Sequence, residues 1–84
     1  MLEFIEYIVK QISTNPEKAN VTETKEGDIY LYKITAASED MGILIGKEGR
    51  TIRSIRNMAI AKAIKDNIKI QINIEDSESK EEND

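Results

Sequence analysis

Apolar residues recur along this chain in distinct rhythms, and each rhythm predicts an element. Residues 2–13 place Leu2, Ile5, Ile8, Val9 and Ile12 at helical spacing, with Glu3, Glu6 and Lys10 between them. That is an amphipathic helix with one buried stripe, stopped by Asn15-Pro16. Residues 20–25, with Val21 between polar neighbours, read as a weak strand, Glu26-Gly27-Asp28 as a turn, and residues 29–36 as a strand rich in β-formers. In the second strand Tyr32, Ile34 and Ala36 are expected to face the core, with Leu31 and Lys33 opposite. Ser38-Glu39-Asp40 opens a short helix with Ser38 as its expected N-cap, and Gly46 closes it. A longer helix runs from about Arg50 to Lys65 and ends at Asp66-Asn67. Residues 68–74 alternate strictly, so Ile68, Ile70, Ile72 and Ile74 share one face of a strand. Residues 75–84 contain no apolar residue.

The order helix, strand, strand, helix, helix, strand predicts an α+β, two-layer domain. Its three-stranded mixed sheet carries three helices on one face. The expected domain spans residues 1–75, with 76–84 a disordered acidic tail. No internal repeat is visible.

Composition narrows the chemistry. A chain of 84 residues is one small domain with a thin core. It contains no cysteine and no histidine, which removes disulfides, thiolate or imidazole metal cages and Ser–His–Asp catalysis together. No enzymatic activity, cofactor, metal or small-molecule substrate is expected. No apolar run approaches a membrane span and no signal-peptide pattern opens the chain, so a cytoplasmic location and no membrane contact are expected. The net charge of −4 conceals a segregation. Residues 41–69 carry seven basic and two acidic side chains, whereas the flanking segments are acidic. The middle of an acidic protein can therefore still meet an anion.

The candidate site lies in that basic middle. In Leu44-Ile45-Gly46-Lys47-Glu48-Gly49-Arg50-Thr51-Ile52, two glycines three apart allow a sharp turn and a close backbone approach. The turn leads into a helix N-terminus, where unpaired N–H groups and the dipole favour an anion. Lys47 and Arg50 add full charges, and Arg53 and Arg56 continue a basic stripe along the helix. The spacing does not fit a Walker-type phosphate loop. Taken alone, a G-x-x-G is equally an ordinary helix–turn–helix corner.

An aliphatic pair, G-x-x-G and then an isoleucine at the third following position (Leu44, Ile45, Gly46, Gly49, Ile52) resembles the signature of the KH domain family. The element order is similar to its type II, bacterial arrangement. Length, the run Glu39 to Gly42 and Ile-Gly-Lys-x-Gly-Arg-Thr are similar to the small single-KH proteins of the KhpA (YlqC) family. The resemblance covers residues 1–75. It implies a single-stranded RNA binder whose loop clamps the backbone of about four nucleotides. It also implies an RNA chaperone or post-transcriptional regulator that pairs with a larger Jag (KhpB)-type KH protein. In some bacteria that pair is tied to cell division and cell-wall homeostasis.

The expected RNA-binding residues are Gly46, Lys47, Glu48, Gly49, Arg50 and Arg53, with Ile43 and Ile45 in an apolar groove. Glu48 departs from the family pattern, which often has a neutral or basic residue there; a carboxylate beside a phosphate path opposes binding while suiting the helix start. The aromatic residues Phe4, Tyr7, Tyr30 and Tyr32 read as core or surface filler rather than base platforms. In the long helix, Ile52, Ile55, Ala59 and Ala63 form the buried stripe. Ile60, Ala61 and Ile64 form a separate apolar patch, covered either by the first helix or by a second copy in a homodimer. The competing function is a protein-interaction module whose RNA binding is supplied mainly by the partner.

Overall fold

The computed structural model describes residues 1–77. Its elements are α1 (Leu2–Ile12), β1 (Asn20–Glu26), β2 (Ile29–Ala36), α2 (Ser38–Ile45), α3 (Arg50–Asp66) and β3 (Lys69–Asp76), with short 3₁₀ turns at Pro16–Lys18 and Lys47–Gly49. β2 is the central strand. It pairs antiparallel with β1 and parallel with β3, giving the mixed sheet and the α-β-β-α-α-β order that the hydrophobic rhythm predicts.

Register follows from the period of two. Val21, Ile34 and Ile74 stand in one row across the three strands, and Glu23, Tyr32 and Ile72 in the next, so one face of the sheet is largely apolar. Tyr32, Ile34 and Ala36 are buried on it, as expected. Ile5 and Val9 of α1, Leu44 of α2, and Ile52, Ile55 and Ala59 of α3 close the core from above. Tyr32 keeps its hydroxyl inside by donating to the Glu23 carboxylate. Burial first, and that carboxylate second, push the phenol above its ordinary pKa.

Beyond single-residue shifts at element ends, two assignments differ from the sequence reading. β3 continues to Asp76, because parallel pairing with β2 runs on to Ala36 and the Ser77 N–H then bonds the Ala36 carbonyl. Ser38 is not the N-cap of α2. Ala37 holds that position, and the Ser38 hydroxyl lies 2.9 Å from both carboxylate oxygens of Asp76. The end of β3 thus takes the side chain that a local reading assigns to capping. From residue 78 onward the expected acidic tail lies outside the described residues.

Among the described residues, one acid is fully buried. Asp40, in the first turn of α2, accepts hydrogen bonds from the Thr14 hydroxyl and, at 2.9 Å, from the Asn15 backbone N–H. It therefore fastens the exit of α1 to the start of α2. The Thr14 bond, followed by the Asn15 N–H, holds this carboxyl below its ordinary value despite the opposing cost of burial. A carboxyl with a depressed folded-state pKa stabilises fully above the ordinary value near about 4 and loses that contribution as pH falls through the folded value. Asp40→Asn should therefore unfold at lower urea at neutral pH and show a shallower loss of stability on acidification. Urea titrations at about pH 7 and about pH 3 read both effects.

Candidate nucleic-acid interface

The corner between α2 and α3 is built from backbone in unusual conformations. Gly46 has φ 79° and ψ 168°, Glu48 φ 57° and ψ 26°, and Gly49 φ 74° and ψ 17°. Three of four consecutive residues thus have positive φ, a region that side chains disfavour. A Cβ placed on Gly46 would stand 2.7 Å from the Thr51 backbone nitrogen and 2.8 Å from its Cβ. Gly46 is therefore required both by its φ and by the close approach of the first turn of α3. Gly49 is required by φ alone, since the nearest atom to its Cβ position is 3.9 Å away.

The corner's hydrogen bonds orient what it presents. The Gly49 N–H bonds the Gly46 carbonyl at 3.0 Å, and the Arg50 N–H bonds the Lys47 carbonyl. In a trans peptide unit the C=O and the following N–H point to opposite sides. Tying the Gly46 and Lys47 carbonyls inward therefore turns the Lys47 and Glu48 N–H groups outward. These two amides open the short 3₁₀ turn and have no partner within it. The Gly46 N–H is bonded back to Gly42, so the amides offered to a ligand are at the two central positions.

Charge surrounds them. Lys47, Arg50 and Arg53 are exposed. The Glu48 carboxylate pairs with Arg50 at 3.5 Å, with 70% and 72% of the two side chains exposed, so water screens the pair and little holds Arg50 there. The Arg53 guanidinium donates at 3.1 Å to the Glu48 carbonyl. Ile43 and Ile45 stand exposed on α2 before the corner, as apolar contacts for a ligand require, whereas Leu44 and Ile52 are committed to the core.

A feature the sequence reading did not identify lies between α3 and β3. Arg56, Ile60, Ile70, Gln71, Ile72 and Asn73 line a groove of about 360 Å³ between α3 and β3. β3 is an edge strand, so its outer side offers backbone donors and acceptors. Arg56 reaches across the groove, and its Nε donates to the Ile72 carbonyl at 3.2 Å. Arg56 is thus half-buried against the sheet rather than part of an open phosphate track with Arg50 and Arg53.

Ile60 and Ile64 are 46% and 73% exposed, and Ala61 is exposed beside them. The first helix does not cover this patch. It meets α3 on the other flank, where the Lys62 ammonium lies 5.9 Å from the Phe4 ring. Tyr7 is exposed and Tyr32 is in the core. Among the described residues, no helix is long and apolar enough to cross a membrane.

A family model described as KhpA/KhpB, KH domain, matches residues 2–74. The RNA-binding protein KhpA of Chlamydia trachomatis is 40% identical over 74 residues, spanning 88% of this chain and 95% of its own. RNA-binding protein KhpA of Clostridium perfringens is 36% identical over 74 residues, spanning 88% and 99%. Its counterpart in Listeria monocytogenes is also 36% identical over 74 residues, spanning 88% and 97%.

Proposed function

The chain belongs to the KhpA/KhpB KH-domain family, and from this premise we propose that it binds single-stranded RNA through the corner at Gly46–Gly49. The observation that carries the reading is the pair of outward amides at Lys47 and Glu48, set at the start of a 17-residue helix and ringed by Lys47, Arg50 and Arg53. A phosphodiester accepts hydrogen bonds from such amides without regard to base. Lys47 and Arg50 supply the charge that draws a polyanion to them. Exposed Ile43 and Ile45 give apolar contact to bases. The groove against β3 takes a base by apolar contact with Ile70 and by the edge of the strand.

One such site grips only a few nucleotides, so a chaperone or post-transcriptional regulator built on it gains from a second site. Two linked sites raise avidity without any new contact. A larger KhpB (Jag)-type protein and a second copy of this chain are the proposed sources, with Ile60, Ala61 and Ile64 as the contact. The exposure of that patch also favours a second reading, in which the domain serves mainly for association and the partner binds the RNA.

Binding of the isolated protein to a labelled random-sequence single-stranded RNA, measured over a salt series, separates the two. Direct binding gives retention at low salt and a log–log slope of about −0.7 for each phosphate neutralised. No retention at low salt assigns the RNA to the partner and leaves this chain the association role.

A further inference from the structure

We infer that Arg53 serves RNA binding as a positioning residue, acting through the loop rather than by touching phosphate; the inference rests on the proposed RNA-binding reading. The peptide unit between Glu48 and Gly49 carries the Glu48 carbonyl at one end and the Gly49 N–H at the other. Arg53 Nη2 holds the carbonyl at 3.1 Å, and Gly46 O holds the N–H at 3.0 Å. The two bonds pin one rigid plane from both sides.

This plane is the one most in need of a restraint. Its torsions are the ψ of Glu48 and the φ of Gly49, both in the left-handed region. A side-chain-bearing residue there is disfavoured by on the order of 1 kcal/mol. The glycine beside it rotates freely. Without the Arg53 bond, the plane turns on the Gly49 hydrogen bond alone. When the Gly49 N–H swings away, the Gly46 carbonyl is released, and with it the orientation of the Lys47 N–H. A single arginine one turn into α3 therefore sets the direction of an amide six residues earlier.

The arrangement also accounts for the choice of arginine. A guanidinium presents several donors in a fixed plane. Its Nη2 also lies 3.9 Å from the Cβ position of Gly49, so the side chain folds back over the corner rather than extending towards solvent. A rim cation that met phosphate directly would have no need of this geometry. Pre-setting the amides before the ligand arrives lowers the ordering cost of binding.

The experiment compares wild type, Arg53→Gln, Glu48→Asp and the double variant, using the same labelled random-sequence RNA over a salt series. Arg53→Gln should weaken binding about three- to tenfold, the span of one hydrogen bond's net worth, with the salt slope unchanged. Aspartate keeps the charge at position 48 and tolerates positive φ better than glutamate. The weakening caused by Arg53→Gln should accordingly be smaller in the Glu48→Asp background. Amide hydrogen exchange without RNA should be faster at Gly49 in Arg53→Gln, with the core amides unaffected. A slope shallower by about 0.7 would mean that Arg53 itself neutralises a phosphate and would overturn the inference, as would unchanged exchange at Gly49. Absence of wild-type binding would instead sink the RNA reading beneath it, and Gly49 exchange would still decide whether Arg53 holds the corner.

Discussion

Gly46→Ala should destabilise this protein more than any other single methyl addition at the corner, and RNA binding should go with it. The added Cβ would collide with Thr51 Oγ1 and fall 2.7 Å from Thr51 N and 2.8 Å from Thr51 Cβ. A hydroxyl can rotate away, but the backbone nitrogen belongs to the first turn of α3 and cannot move without displacing the helix. The backbone conformation adds its own cost, because φ 79° with ψ 168° is open essentially to glycine alone. Together these place the penalty on the order of 3 kcal/mol or above. For a domain this size that lowers the melting midpoint by more than about 10 °C. Gly49→Asn is the matched comparison. Its φ of 74° and ψ of 17° lie where asparagine is tolerated, and its Cβ position meets nothing closer than 3.9 Å. Its midpoint should fall by less than about 5 °C. Calorimetry on the two variants checks the contrast, and equal losses would show that close approach to Thr51 is not what requires Gly46.

The difference between these glycines marks where sequence pattern stops informing structure. Both stand in one motif, and the motif announces a sharp turn. Which glycine is constrained by packing as well as torsion, and which by torsion alone, depends on how closely the first turn of α3 approaches, a distance with no counterpart in residue spacing. The sheet was far more legible. Alternation of isoleucines from Ile68 to Ile74 determines which face is buried, and pairing with β2 then brings Tyr32 and Ile34 to the same side. The buried stripe of α3 was legible for the same reason, since Ile52, Ile55, Ala59 and Ala63 repeat at the helical period.

Long-range partners were not legible. Ser38 looks like a cap because capping is local, yet its hydroxyl meets Asp76, 38 positions away. Asp40 looks like a solvated acid at a helix start, yet Thr14 and Asn15 enclose it. The groove beside β3 escaped because it requires knowing that β3 takes the sheet edge and that α3 lies along it. Arg56 shows the consequence. By spacing it continues the stripe of Arg50 and Arg53, but the adjacent strand captures its Nε.

These placements decide how the proposed site is best tested. Acids introduced at the glycines would disturb folding and binding together. Lys47→Asp with Glu48→Asp, by contrast, should abolish most RNA affinity in a protein that remains folded. Both side chains are exposed, so the exchange removes nothing from the core. Position 48 has φ 57°, and aspartate is among the residues that accept such a value. The double change replaces the Lys47 cation with a carboxylate and shortens the one already at position 48, so that both lie close to the outward amides, where the helix dipole also favours them. An anion tethered at the amides competes with phosphate at high effective concentration. Removing one charge-assisted hydrogen bond costs about 1.5–3 kcal/mol, so affinity should fall about 10- to 100-fold or below detection. The melting midpoint should stay within a few degrees of wild type. Undiminished binding by this folded variant would move the RNA site away from the corner, and the groove along β3 would then have to hold the strand on its own.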